Sequence, residues 1–170
     1  MKNFYRSTMI LLILASLLCV ANASALAQKP IGFYVSISET RTEHSRDSDS
    51  SAKTIRISGH ALIYEETGRR RKPLHKEYRL TDQEVSKLKR LVSERHLLAS
   101  RSVAYAEVTG PHTSIVLSLE LKLKKRRSQV RISGPMASKE LNNDHVYQNA
   151  HALLDEITKM MDAKDQAERR

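Results

Sequence analysis

Seven histidines stand at positions 44, 60, 75, 96, 112, 145 and 151, and each could supply a base or a metal ligand. A helical zinc site needs two of them three or four residues apart on one face. The nearest helical pair, His145 and His151, is six apart, and no H-E-x-x-H occurs. The pairs Ser50/Lys53 and Ser86/Lys89 spell S-x-x-K, in which a lysine one helical turn away can take the serine proton. The first pair falls in a polar stretch and the second on the outer side of a helix, without the accompanying S-D-N or K-T-G. Asp47, Ser48 and Asp49 begin like a calcium loop, but Ala52 and Ser58 occupy the places that need glycine and glutamate. No G-x-S-x-G, phosphate loop or dinucleotide fingerprint is present. A hydrolase would have to be assembled from scattered groups such as His75, Glu77 and Glu120. No metal or cofactor is implied.

Two runs of charge stand out. Arg69, Arg70, Arg71 and Lys72 follow Thr67-Gly68, and Lys124, Lys125, Arg126 and Arg127 follow a long alternating segment. Four consecutive like charges at a turn repel one another, and a bound anion relieves that repulsion. These eight residues are the candidate anion-binding groups. If both turns lie at one end of the sheet, they make a single patch. Tryptophan is absent and aromatics do not interleave with the charges, which argues against nucleic acid as the ligand.

The elements that must position these turns read from their periodicity. Ile31, Phe33, Val35 and Ile37 alternate with small or polar residues, as a half-buried strand does. Residues 40–53 are polar and read as a long mobile loop. A second strand runs from Thr54 to Tyr64, with its phase shifted by a bulge at Gly59. Leu74, Lys76, Tyr78 and Leu80 give a third strand. Thr81 and Glu84 form a capping box that opens a helix with Val85, Leu88, Leu91 and Val92 on one face. Residues 99–113 show no clear period. From Ile115 to Leu123 one face is wholly aliphatic and the other mostly polar, which suits an antiparallel sheet covered on one side. Val130 and Ile132 make a fifth strand. A last helix spans roughly residues 143–163, capped by Asn142 or Asn143. The expected architecture is α+β: five antiparallel strands with two helices on one face, in the order βββαββα. The other face is then lined by His75, Glu77, Arg79, Glu120, Lys122 and Arg131.

The N-terminal residues carry a different message. Lys2 and Arg6 precede an apolar run from Met9 to Val20 and the small-residue end Ala25-Leu26-Ala27. This is the pattern of a signal peptide over 1–27, with cleavage after Ala27 or, as the alternative, after Ala23. The run is about a dozen residues, against the ~20 that a spanning helix needs. The expected product is exported, periplasmic or extracellular, with no transmembrane segment. Cys19, the one cysteine, leaves with the leader, so the remaining domain has neither disulfide nor thiol chemistry. Two of the 29 Lys and Arg also leave, and the rest exceed the 19 Asp and Glu by eight. Residues 28–162 are then one domain and 163–170 a charged flexible tail.

The stretches RISGHALIYEE, YRLTDQEVSKLKRLVSE and TSIVLSLELKLKKRRSQVRISG resemble, in layout, small secreted bacterial α+β domains of unknown function. The element order is also similar to that of emfourin-type inhibitors of bacterial metalloproteases. The glycine-rich first hairpin of those inhibitors is not reproduced here, where only Gly32 stands in the first strand. The resemblance implies a non-enzymatic role and assigns no functional residue. The expected function is therefore an exported binding domain whose basic turns contact an anionic envelope component or an acidic protein. A secreted protease-inhibitor-like module is the alternative, and an undetected hydrolase stands behind it.

Overall fold

A computed structural model describes residues 32–44, 49–69, 71–106 and 110–169. The expected leader, residues 1–27, lies outside them. In chain order the elements are β1 Phe33–His44, β2 Ser50–Ser58, β3 Ala61–Gly68, β4 Arg71–Arg79, α1 Asp82–Glu94, a 3-10 turn Leu97–Ala99, β5 Val103–Ala104, β6 His112–Leu123, β7 Arg126–Pro135, α2 Lys139–Asn143 and α3 His145–Glu168. The strands form one sheet in the order β4-β3-β2-β1-β6-β7-β5. Every neighbour is antiparallel except β5, which lies parallel to β7. The class is α+β, as the hairpin-rich pattern predicts.

The strand count differs for local reasons. The expected single strand over 54–64 is two strands, because Gly59 is not a bulge. It opens a two-residue turn, Gly59-His60, with φ +60° at the glycine, and Ser58 pairs with Ala61 across it. A positive φ at the first turn residue suits the twist of a tight hairpin, and glycine takes it without steric cost. The expected loop over 40–53 is mostly strand: β1 continues to His44 and β2 begins at Ser50. Polar residues are held there by pairing: Thr40, Arg41 and Thr42 of β1 pair with β2 on one side and with β6 on the other. Val103 and Ala104 form a two-residue edge strand that no periodicity could signal.

The helices behave more nearly as expected. Thr81 caps α1 with the full reciprocal box: its hydroxyl accepts from Glu84 N–H, and the Glu84 carboxylate accepts from Thr81 N–H. α3 is capped by Asp144, not by Asn142 or Asn143, which belong to the short α2. The charged stretch after residue 162, expected to be a tail, continues α3 to Glu168. Lys164 and Asp165 hold it down, on Glu84 and Lys76 respectively.

Strand register sets which face each side chain takes. Val35, Ile37, Ile55, Ile57, Leu62, Leu117, Leu119, Leu121, Val130 and Ile132 are buried on one face. Val85, Leu88 and Val92 of α1, with Ala150, Leu153 and Ile157 of α3, cover them. Each large aliphatic side chain so buried is worth roughly 1.5–3 kcal/mol against solvent. His75, Glu77, Arg79, Lys122 and Arg131 are exposed, and Glu120 is half-buried, on the sheet face opposite the helices.

Candidate anion-binding site

The two basic turns lie at opposite ends of the sheet. β1 pairs Phe33 with Leu123, just before the β6–β7 turn, and Thr42 with Ser50, which neighbours the β3–β4 turn across Ser51 and Gly68. Nine residues of strand at about 3.3 Å each separate the two levels by about 30 Å. They do not make one patch.

The β6–β7 turn is a tight hairpin in which Leu123 pairs with Arg126 across Lys124 and Lys125. Lys124 has φ +56°, the left-handed region that glycine fills at the corresponding position of the Gly59-His60 turn. Lys124 N–H donates to the carbonyl of Gly32 at 2.9 Å, which fixes the turn against the start of β1. Lys124, Lys125, Arg126 and Arg127 are all exposed. Arg127 points to the open sheet face and donates to Glu120 at 2.6 Å. Among the described residues, Lys124, Lys125 and Arg126 have no acidic partner. A further cation lies close by: Lys89 of α1 sits 5.8 Å over the ring of Phe33, the strand partner of Leu123.

Beneath this turn lies a cleft of about 560 Å³. Its walls are Val92 and Ser93 of α1, Leu98 and Ala99 of the 3-10 turn, and Leu123 of β6, and its rim is His96, Lys124, Lys125 and Arg126. The cleft exists because α1 stops short there. Arg95 and His96 close the helix by donating their N–H groups to the carbonyls of Leu91 and Ser93, and His96 turns the chain with φ +52°. Leu97 then enters the core while Leu98 and Ala99 remain at the surface. The result is an apolar hollow bordered by positive charge. The periodicity that identified α1 ends before Leu98 and Ala99, so these two lining residues carried no signal.

The β3–β4 turn has a different setting. Arg69 is exposed at the edge of a hollow of about 270 Å³ that also contains Asp49, Ser50, Ser51 and Glu66. Lys72 is exposed, Arg71 is the first residue of β4, and Arg70 lies outside the described residues. Acidic groups thus already face this turn.

A polar cluster occupies the helix side of the sheet at this same end. Glu39 continues the buried row of Phe33, Val35 and Ile37 and is only 3% exposed. Its Oε1 accepts from Arg41 Nε at 2.6 Å. Its Oε2 and the Nε2 of His151 are both buried without hydrogen-bond partners and stand 3.9 Å apart. The cleft of about 400 Å³ beside them also contains Lys53, Tyr64, Lys76, Asp155, Asp162 and Asp165. Burial, and then the hydrogen bond it donates to Glu66, push the Tyr64 hydroxyl well above the usual tyrosine range. The ammonium of Lys76 and the hydroxyl of Tyr78 hold the Asp165 carboxyl below its ordinary value. Sequence reasoning overlooked Glu39 by ending the first strand at Ile37. One more step of the alternation would have found a carboxylate on the apolar face.

The remaining candidates are dispersed. His75 lies 3.2 Å from Glu77 and 3.6 Å from Glu65 on the open face of β4, whereas Glu120 is on β6, four strands away. They form no common site. Among the described residues, no three His, Cys, Asp or Glu side chains converge to hold a metal. No protein-family model matches the chain, and no curated protein matches it.

Proposed function

We propose that this is a non-enzymatic, exported binding domain that contacts an anionic envelope component through its β6–β7 turn. The observation that carries the proposal is the set of three exposed cations, Lys124, Lys125 and Arg126, without acidic partners and rimming an apolar cleft. A negatively charged surface would be attracted over roughly a Debye length and would relieve the repulsion within the turn. The pattern over residues 1–27 supports export, which would bring the turn to the envelope. The β3–β4 turn plays a lesser part, because Asp49 and Glu66 already face Arg69.

Co-sedimentation with vesicles tests this directly. Vesicles containing phosphatidylglycerol should capture the protein at low salt and release it steeply as salt rises, and pure phosphatidylcholine should not capture it. Each basic side chain near such a surface contributes about 1 kcal/mol. Reversing Lys124, Lys125 and Arg126 to glutamate should therefore weaken capture at least about 100-fold. Capture that is unchanged by this triple variant would overturn the proposal. Binding instead to an acidic protein, with no affinity for the vesicles, would replace the lipid surface by that partner.

A further inference from the structure

The cleft below the β6–β7 turn has a chemistry that the turn alone does not explain. We infer that it seats the hydrocarbon tail of a single-chain anionic amphiphile whose head group rests on Lys124, Lys125 and Arg126. This rests on the reading of that turn as the anion contact, and it adds what the anion is attached to.

Three observations carry it. The first is size: about 560 Å³ falls within the ~300–1,000 Å³ typical of small-ligand pockets. The second is the division of the lining. Val92, Leu98, Ala99 and Leu123 make an apolar floor, and the cations occupy one margin only, so a molecule with one greasy and one negative end matches both. The third is the absence of carboxylates. Three other hollows each include at least one: Glu39 beside α3, Asp49 at the β3–β4 turn, and Glu120 in a hollow of about 470 Å³ between Ser36, Ser118 and Arg131 on the open sheet face. None lines the cleft at the β6–β7 turn. A cationic amphiphile would find no counter-charge there, and a neutral polar ligand would leave the floor unused.

The construction of the site separates the two parts of the ligand. Leu123 and Arg126 are cross-strand partners on the helix side of the sheet, so the last apolar residue of β6 and the first cation of β7 stand side by side. Lys124 and Lys125 project beyond them at the tip. A tail lying along Leu123 and Leu98 thus ends in reach of Arg126, with the lysines outside it. Burial of each methylene against this floor would contribute its hydrophobic share, and the head would gain charge-assisted hydrogen bonds.

Calorimetric titration of the full chain with dodecanoate, below its micelle concentration, tests the inference. Dodecyl phosphate and dodecyltrimethylammonium serve as comparisons. Saturable one-to-one binding of the two anionic probes is expected, with the cationic probe at least about tenfold weaker. Ala99→Phe, at an exposed position of the cleft wall, should weaken dodecanoate at least about tenfold and leave vesicle capture intact. Ser93→Phe, exposed on α1, fills the same space and replaces it if Ala99→Phe unfolds the domain, as judged by circular dichroism. Three results would overturn the inference: no saturable dodecanoate binding, equal binding of the cationic probe, or undiminished binding by a folded cleft-filling variant. Vesicle capture without dodecanoate binding would remove the cleft ligand and leave the proposed function standing. Loss of both would remove both.

Discussion

The two ends of the sheet use positive charge in opposite ways. At the β3–β4 end, two cations are matched within the molecule: Arg41 to Glu39 and Lys76 to Asp165. At the β6–β7 end, Lys124, Lys125 and Arg126 face solvent without carboxylates, over an apolar hollow. Charge satisfied internally serves folding, whereas charge left unsatisfied beside exposed apolar surface remains open to an outside anion. The chain's net charge of +10 describes neither end, because net charge does not record which cations are paired.

Mutations at the two ends should therefore fail in different assays. Arg41→Met leaves the buried Glu39 carboxylate without its ion-pair partner and should cost about 3 kcal/mol of stability, read from the urea midpoint. Vesicle capture by the folded fraction should not change. The triple reversal of Lys124, Lys125 and Arg126 should do the converse, abolishing capture with a stability change within about 0.5 kcal/mol. A large loss of stability there would erase the contrast.

Smaller effects sharpen it. Lys124→Gly relieves the left-handed backbone and should raise stability by about 1 kcal/mol while weakening anion binding severalfold. Thermal melting and the vesicle assay read the two halves of that trade. Reversing Lys72, at the other turn, should alter capture less than about threefold.

Acid should act first at the two ends of α3: Asp144 caps its start, and Asp165 on Lys76, with Glu84 on Lys164, ties down its end. The Asp165 carboxyl is held low by Lys76 and then Tyr78. Burial works to raise Asp144 and Glu84, but hydrogen bonds outweigh it: from Tyr105 and the Tyr147 N–H for Asp144, and from the Thr81 N–H and Lys164 for Glu84. All three fold with depressed pKa values, so the stability they give is complete above the ordinary carboxylate range near pH 4 and is lost as pH falls through their folded values. Amide exchange below pH 4 should therefore rise earlier at the C-terminal end of α3 than along β6. Equal rates would show that these carboxylates do not hold the helix.

Much of this arrangement was legible in the residues, in proportion to how local its causes are. The aliphatic face of β6 follows from alternation alone, and the start of α1 follows from Thr81 and Glu84. Gly59 was recognised as a break but not as a turn, because a glycine at φ +60° serves a bulge or a hairpin equally well. The opposite placement of the basic turns depends on three successive antiparallel pairings, β3–β2, β2–β1 and β1–β6, each of which reverses the chain. A single miscounted strand between residues 54 and 64 was enough to leave that placement open. The cleft was least legible: its walls come from a helix end, an aperiodic segment and a strand end, brought together only by packing.

The pairing of β1 with β6 has a kinetic consequence. These central strands join residues that lie about 70 to 90 positions apart in the chain, whereas the β1–β2, β2–β3, β3–β4 and β6–β7 pairs close through short connections. The protein should therefore build two local sheets, a four-stranded meander and a hairpin, before the seam between them closes. Until it does, Val35 and Ile37 on one piece and Leu119 and Leu121 on the other expose the edges of the core. The β6–β7 hairpin that carries the proposed anion contact can thus form early, while its apolar floor must wait for α1 to dock.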